Sequence, residues 1–293
     1  MDTFKKQLVL LHHCRGIGWK GIQTILAFDP QLEKIMHIPI KQWQLLLPFL
    51  PPSQLSLFHS DLHRIPIEEK IRQYTYNGIE MLTPFDLDYP SLLTHIYDPP
   101  WVLYMKGNKQ LLAELKPLAV VGPRKPSEYG KMAIDQLLPP LVRQNYVIVS
   151  GLAAGIDAYA HQCAIQEGGK TIAIMAGGLF HIYPRENISL GLDMMRSQLV
   201  ISETVPFQKA QPFMFPMRNR IISGMSLAVL IVEAKSRSGS LITAQTALEQ
   251  GRDVFAVPGS IFSERSSGTN LLIQEGAKLI LRPEDIEEEI VRN

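Results

Sequence analysis

From residue 118 onward the chain keeps one rhythm, in which short, nearly unbroken apolar runs alternate with longer stretches of helical apolar spacing. The runs fall at 118–121, 146–149, 171–176, 198–201, 228–232, 254–257 and 278–281. An unbroken apolar run, as opposed to strict alternation, suits a strand buried on both faces, as in a parallel sheet covered by helices. Crossovers long enough to hold a helix make βαβ units, and their repetition builds a doubly wound sheet. The pattern predicts an α/β fold with a doubly wound, mostly parallel sheet. No internal repeat or low-complexity tract interrupts it.

The first 75 residues read differently. Leu8, Leu11, Ile22, Ile25 and Leu26 follow helical spacing, and breaks fall at Gly16-Ile17-Gly18, Pro30, Pro48 and Pro51-Pro52. This predicts a small all-helical domain over 1–75. Its Gly16-Ile17-Gly18 turn is similar to a helix-hairpin-helix, whose backbone N–H groups can face a phosphate, and the domain reads equally as a packing or partner module. Residues 76–117 form a connecting segment whose two apolar runs, 79–82 and 101–105, are flanked by Asp88-Tyr89-Pro90 and Asp98-Pro99-Pro100. Prolines there favour edge or loop positions. The second expected domain is 76–293.

Composition excludes several classes. An apolar share of 46% with 19% charged residues describes a globular chain, not a disordered one. No stretch approaches the roughly 20 apolar residues of a membrane helix, and the N-terminus lacks a signal-peptide layout. Cys14 and Cys163 stand far apart, with no CxxC, which argues against a disulfide framework and a zinc site. A cytoplasmic location is expected. Net charge is only +1, yet it is segregated: Lys209, Arg218, Arg220, Lys235 and Arg237 cluster against Glu233, while Glu284, Asp285, Glu287, Glu288 and Glu289 crowd the end. Such segregation permits a polyanion site.

In an open parallel sheet, ligands bind beyond the C-terminal ends of the strands, so the residues after each run matter most. These are Gly122-Pro123-Arg124, then Ser150-Gly151 through Gly155-Ile156-Asp157, then Gly177-Gly178 with Tyr183-Pro184 and Asn187. Ser202-Glu203 with Phe215-Pro216 and Arg218-Asn219-Arg220 follow, then Glu233 with Ser238-Gly239-Ser240, and last Pro258-Gly259. Glycine lets backbone approach a ligand, free N–H groups at a helix start attract anions, and arginine adds bidentate phosphate contacts. One such loop is as easily an ordinary βα turn; five with three arginines favour a phosphate-holding surface. Asp157 and His161, four apart on one helix, read as a metal or acid–base couple or, in preference, as a helix-start cap with a structural histidine. Glu203 and Glu233 read as general acids or, in preference, as partners orienting Arg218 or Arg220. No G-x-G-x-x-G follows the first run, and no G-x-x-x-x-G-K-S/T, G-x-S-x-G or S-x-x-K is present, which disfavours dinucleotide, P-loop and serine chemistry.

Taken in order, these strings resemble a known family. Val121-Gly122-Pro123-Arg124 through Tyr129-Gly130 resembles V-G-x-R-x-x-S/T-x-Y-G, and Ser150 to Asp157 with Ala160-His161 resembles S-G-x-A-x-G-I-D-x-x-A-H. The Tyr183-Pro184, Phe215-Pro216, Ser238 to Ala244, Val257-Pro258-Gly259 and Gly268-Thr269-Asn270 strings match in spacing, over about residues 85–280. The family is DNA-processing protein A (DprA, also Smf). The resemblance implies an extended Rossmann-like domain, preceded here by a helical, SAM- or helix-hairpin-helix-like one. It also implies a homodimer that binds single-stranded DNA without cofactor or catalysis, protects incoming DNA and loads RecA onto it in natural transformation. The implied DNA-binding set is Gly122, Arg124, Ser150, Gly151, Gly155, Lys170, Gly177, Gly178, Asn187, Phe215, Arg218, Asn219, Arg220, Ser238, Gly239 and Ser240. The implied dimer face holds Leu248, Leu271, Leu272 and Ile273. Phe180, Tyr183 or Phe215 would stack bases.

The sequence departs from the family pattern at its third loop, which reads Met175-Ala176-Gly177-Gly178-Leu179-Phe180-His181 where L-G-x-G-x-d is common. The winged-helix module carried by many members is not expected after the C-terminal acidic helix. A rival reading is a nucleotide-processing enzyme similar to the lysine-decarboxylase-like phosphoribohydrolases, but their P-G-G-x-G-T-x-x-E string is replaced by Ser238-Gly239-Ser240-Leu241-Ile242-Thr243. A third reading is a structural partner protein with a vestigial groove.

Overall fold

The computed structural model describes residues 1–113 and 116–292; residues 114, 115 and 293 of the expected second domain lie outside it. The chain divides into two compact units, Met1–Asp86 with Pro100–Tyr104, and Leu87–Pro99 with Met105–Asn293. The first unit thus runs beyond the expected boundary at 75, through the first strand.

That unit is built on helices α1 (Thr3–His13), α2 (Gly18–Phe28), α3 (Ile40–Leu46), α4 (Pro52–Arg64) and α5 (Ile67–Tyr76), followed by strand β1 (Glu80–Leu82). The amphipathic spacing does its work here: Leu8, Leu11, Ile22, Ile25, Trp43 and Phe58 are each no more than 2% exposed. Asp2 caps α1 by accepting the Lys5 N–H at 2.7 Å. Arg15 holds Asp61 through Nε at 2.8 Å and Nη2 at 2.7 Å, tying the turn before α2 to α4.

The second unit opens with α6 (Ser91–Thr94) and the end of β2 (Leu103–Gly107). It then alternates β3 (Pro117–Val121), α7 (Glu128–Arg143), β4 (Val147–Ser150), α8 (Ile156–Gln166), β5 (Lys170–Met175), α9 (Ile188–Ser197) and β6 (Leu199–Ser202). The alternation continues through α10 (Met214–Gly224), β7 (Ala228–Ile231), α11 (Gly239–Glu249), β8 (Asp253–Ala256), α12 (Ser267–Gln274), β9 (Lys278–Leu279) and α13 (Pro283–Arg292). The strands lie in the order β6-β5-β4-β3-β7-β8-β9, and every adjacent pair among them is parallel. This is the doubly wound sheet that the apolar runs predict.

Leu118, Val120, Ile148, Leu230 and Phe255 point to one side and pack with Ile134, Leu137, Leu141, Ala160 and Ile286 of α7, α8 and α13. The alternate residues Ala119, Val149, Val229 and Ile231 are equally inaccessible, with α10 and α11 lying against β5, β7 and β8. Both faces are covered, which is why the runs carry no polar alternation. The chain winds outward from β3 to β6, then returns to place β7 on the other side of β3. The loops after β3 and β7 therefore diverge, leaving a crevice at this reversal of direction.

Candidate nucleic-acid interface

The crevice is real and runs along the C-terminal ends of β3, β4, β5 and β7. One hollow of about 640 Å³ lies between the loops after β3 and β7, lined by Gly122, Arg124, Lys125, Asn219, Lys235, Arg237, Gly239, Ser240 and Arg265 among others. A second of about 300 Å³ adjoins it over β4 and β5, lined by Gly151, Met175, Gly177, His181, Tyr183, Glu186 and Phe215. Arg124, Lys125, Ala153 and Phe215 line both. The Arg124 guanidinium stands 5.4 Å from the Phe215 ring centroid, a cation–π contact at the junction. Tyr183, 52% exposed, meets Phe215 edge-on at 5.9 Å.

Electrostatics favour an anion. Among the described residues no carboxylate pairs with Arg124, Lys125 or Arg237, and all three are exposed. Lys235 engages Glu264 at 2.7 Å in a wholly exposed pair, one that contributes little and yields readily to a competing anion. Arg185 is exposed between Pro184 and Glu186, which line the smaller hollow. The first turn of α11 also faces the larger hollow. Its N-cap Ser238 makes no side-chain cap hydrogen bond, so the N–H groups of Gly239 and Ser240 remain for an outside acceptor.

Several residues expected to touch DNA do something else. Ser150 is inaccessible, its hydroxyl donating to the Val120 carbonyl at 2.6 Å across two strands. Asn187 is buried and donates to the Leu152 carbonyl at 2.9 Å. Arg218 is nearly buried in the floor of the larger hollow, and one Nη donates to the carbonyls of Gly151, at 2.5 Å, and Ile174, at 2.6 Å. A Cβ on Gly151 would lie 1.9 Å from that nitrogen. Arg220 is locked between Asp98 at 2.9 Å and Glu203 at 2.8 Å; burial lowers its pKa, but the two carboxylates carry it above the ordinary value. Glu203 is thus the ion-pair partner expected. Glu233 instead accepts the Ser127 N–H at 2.9 Å and the Ser127 hydroxyl, holding the start of α7.

Lys170 is displaced furthest from expectation. It begins β5, whereas the groove lies past Met175 at the other end of that strand. Five steps at about 3.3 Å each put it roughly 17 Å from the groove edge. Gly155 and Gly178 act by close packing: a Cβ would lie 2.3 Å from the Pro123 oxygen in the first case and 2.1 Å from the Val205 oxygen in the second. Phe180 pairs with Phe207 at 4.6 Å. On the implied dimer face, Leu248 and Leu271 are exposed and Ile273 is half-buried, but Leu272 is 8% exposed and belongs to the protomer's own interior.

Asp157 and His161 resolve as structural. Asp157 accepts the Gly151 N–H at 3.1 Å and the Ala153 N–H at 3.4 Å; burial raises its pKa while Arg218 beside it opposes the rise. His161 is inaccessible, with Nδ1 2.6 Å from the Thr171 hydroxyl. That hydroxyl donates to the Ile148 carbonyl at 2.7 Å, so it must accept from Nδ1–H, leaving Nε2 as the bare nitrogen. Burial lowers the imidazole pKa to about 3. Among the described residues no cluster of three or more His, Cys, Asp or Glu side chains is placed to hold a metal.

Lys125, Arg185 and Arg265 were missed by sequence reasoning, and Lys235 and Arg237 appeared only as part of a charged stretch. Their signal was available: each follows the end of a strand or lies in the loop leading from it.

Fold and groove together define a class, the extended Rossmann-like proteins with an open cationic crevice where the strand order reverses. Within that class the chain belongs to the DNA recombination-mediator protein A family, whose model matches residues 80–291. It is 43% identical over 272 residues to DNA processing protein DprA of Bacillus subtilis (strain 168), covering 93% of this chain and 88% of that one. To the DprA of Streptococcus pneumoniae (strain ATCC BAA-255 / R6) it is 48% identical over 198 residues, covering 68% and 70%. The X-ray structure of DprA from Streptococcus pneumoniae superposes with a TM-score of 0.86 at 36% identity over 99% of each chain. The DNA processing protein A of Helicobacter pylori, whose structure was described for its single-stranded DNA binding mode, gives 0.66 at 28% identity over 73% of this chain and 96% of that one. No described helix is long and apolar enough to cross a membrane.

Proposed function

We propose that this chain binds single-stranded DNA along the crevice, protects it, and passes it to RecA in recombination during natural transformation, acting as a homodimer and without catalysis. The observation that carries the reading is the line of Arg124, Lys125 and Arg237, cations without acidic partners among the described residues, beside Phe215, Tyr183 and the open first turn of α11. Cations and N–H groups suit phosphates, and aromatic faces suit unpaired bases of any sequence. The single-stranded DNA binding mode described for the Helicobacter pylori relative supports the same reading.

The test is fluorescence anisotropy of a labelled oligo-dT, with matched duplex as control, across a salt series. Preference for the single strand, a steep salt slope and a loss in Arg124→Ala are expected, whereas Lys170→Ala, at the far edge of the sheet, keeps wild-type affinity. Equal weak binding by all proteins sinks the DNA reading. Release of base from nucleoside monophosphates by the wild type overturns the absence of catalysis. Stimulation of RecA filament formation on a coated strand, present in the wild type and lost with Arg124→Ala, tests the hand-off.

A further inference from the structure

The turn between β8 and α12 places two consecutive large apolar side chains in solvent: Ile261 is 85% exposed and Phe262 93%. No other consecutive pair among the described residues does so. A single wet apolar side chain is ordinary on any protein, but here the turn carrying the pair is braced. The Asn270 side chain brackets Gly259, accepting its N–H at 3.1 Å and donating to its carbonyl at 3.0 Å. The Tyr129 hydroxyl donates to the Pro258 carbonyl at 2.5 Å. The Ser263 N–H donates to the Ser260 carbonyl at 3.0 Å, and the Ser260 hydroxyl accepts the Phe262 N–H at 3.2 Å.

The root of the turn is the wall of the groove. Arg265, three residues after Phe262, lines the larger hollow, and its guanidinium donates to the Lys125 carbonyl. An apolar tip therefore stands three residues along the chain from Arg265, a cation of the groove wall, and the two features together are those that grip single strands by backbone charge and base stacking.

We propose that Ile261 and Phe262 form a platform on which bases of the strand leaving the groove stack, and that this platform lets the protein discriminate against duplex. In a duplex the bases are already stacked and paired, so only the phosphate contacts remain. The inference rests on the crevice being the DNA site.

The test compares a labelled oligo-dT with a strand of equal length whose nucleotides are abasic, so that the phosphates match and the bases do not. The full chain would be measured as wild type, Phe262→Ala, Ile261→Ala/Phe262→Ala and Phe262→Trp. The expectation is that Phe262→Ala weakens oligo-dT binding about tenfold, leaves abasic-strand and duplex binding unchanged and keeps the salt slope of the wild type. The double variant should lose more, and Phe262→Trp should restore affinity. Equal loss on both strands, or none on either, overturns the platform. Wild type binding neither strand brings down the reading of the groove itself, whereas wild-type affinity in Phe262→Ala removes the platform alone. A change of oligomeric state with DNA binding intact would assign the tip to a second copy of the chain and likewise overturn it.

Discussion

Around the guanidinium of Arg218 stand two backbone carbonyls and, in Coulombic reach, the Asp157 carboxylate, all away from water. Arg218→Met leaves them without a cation and should cost about 3–5 kcal/mol in denaturant unfolding. Arg124→Ala removes a side chain at the surface and should leave stability within about 0.5 kcal/mol. It should instead weaken strand binding and reduce the salt slope by about one phosphate contact. His161 gives a pH prediction. Its folded pKa is about 3 against an ordinary 6.5, so between those values the unfolded chain takes up a proton that the folded chain refuses. Its contribution is complete above pH 6.5 and declines as pH falls toward 3. Urea midpoints recorded from pH 7.5 to 4 should drop, and His161→Asn should remove one proton's worth of that slope. The residues themselves show what was legible in the sequence. It displayed Arg124, Arg218 and Arg220 as three cations near one sheet edge, but not their depth, because depth depends on which carbonyls and carboxylates the fold brings to each one.

At the level of elements, the strands were the clearest signal, since a segment buried on both faces has little choice but to be apolar throughout. Helix α7 was less clear: Pro139 and Pro140 lie inside it, where prolines ordinarily end a helix, yet it continues so that Leu141 and Val142 can pack into the core. Loop positions were the hardest, because packing against a neighbouring loop leaves no periodicity. Gly155, which precedes α8, adopts φ +82° and has the Pro123 oxygen and the Arg124 carbonyl carbon where a Cβ would go, at 2.3 and 2.6 Å. Gly155→Ala should therefore cost more than about 1 kcal/mol and push aside the loop that carries Arg124. Thermal unfolding and oligo-dT binding measured on the same preparation should both decline, in contrast to Arg124→Ala, where only binding does.

Across the whole molecule, the proposed homodimer is tested through Leu248 and Leu271, apolar side chains that are 52% and 40% exposed on α11 and α12. Leu248→Arg with Leu271→Arg should sediment as a folded monomer and lose apparent affinity for long strands more than for short ones, since joined grooves act through effective concentration. Leu272→Arg, by contrast, should fail to fold properly because Leu272 is interior. The groove itself is fastened from beneath. Arg218 ties the loop after β4 to β5, Asn187 holds Leu152 in place, and Glu233 anchors the start of α7. A crevice fastened at three points has little left to rearrange when a ligand arrives, so on the proposed reading the ordering falls on the DNA strand, a limp polymer that must straighten and settle. Association should then proceed in a single kinetic phase whose rate rises linearly with oligonucleotide concentration, with no plateau from a slow isomerisation of the protein.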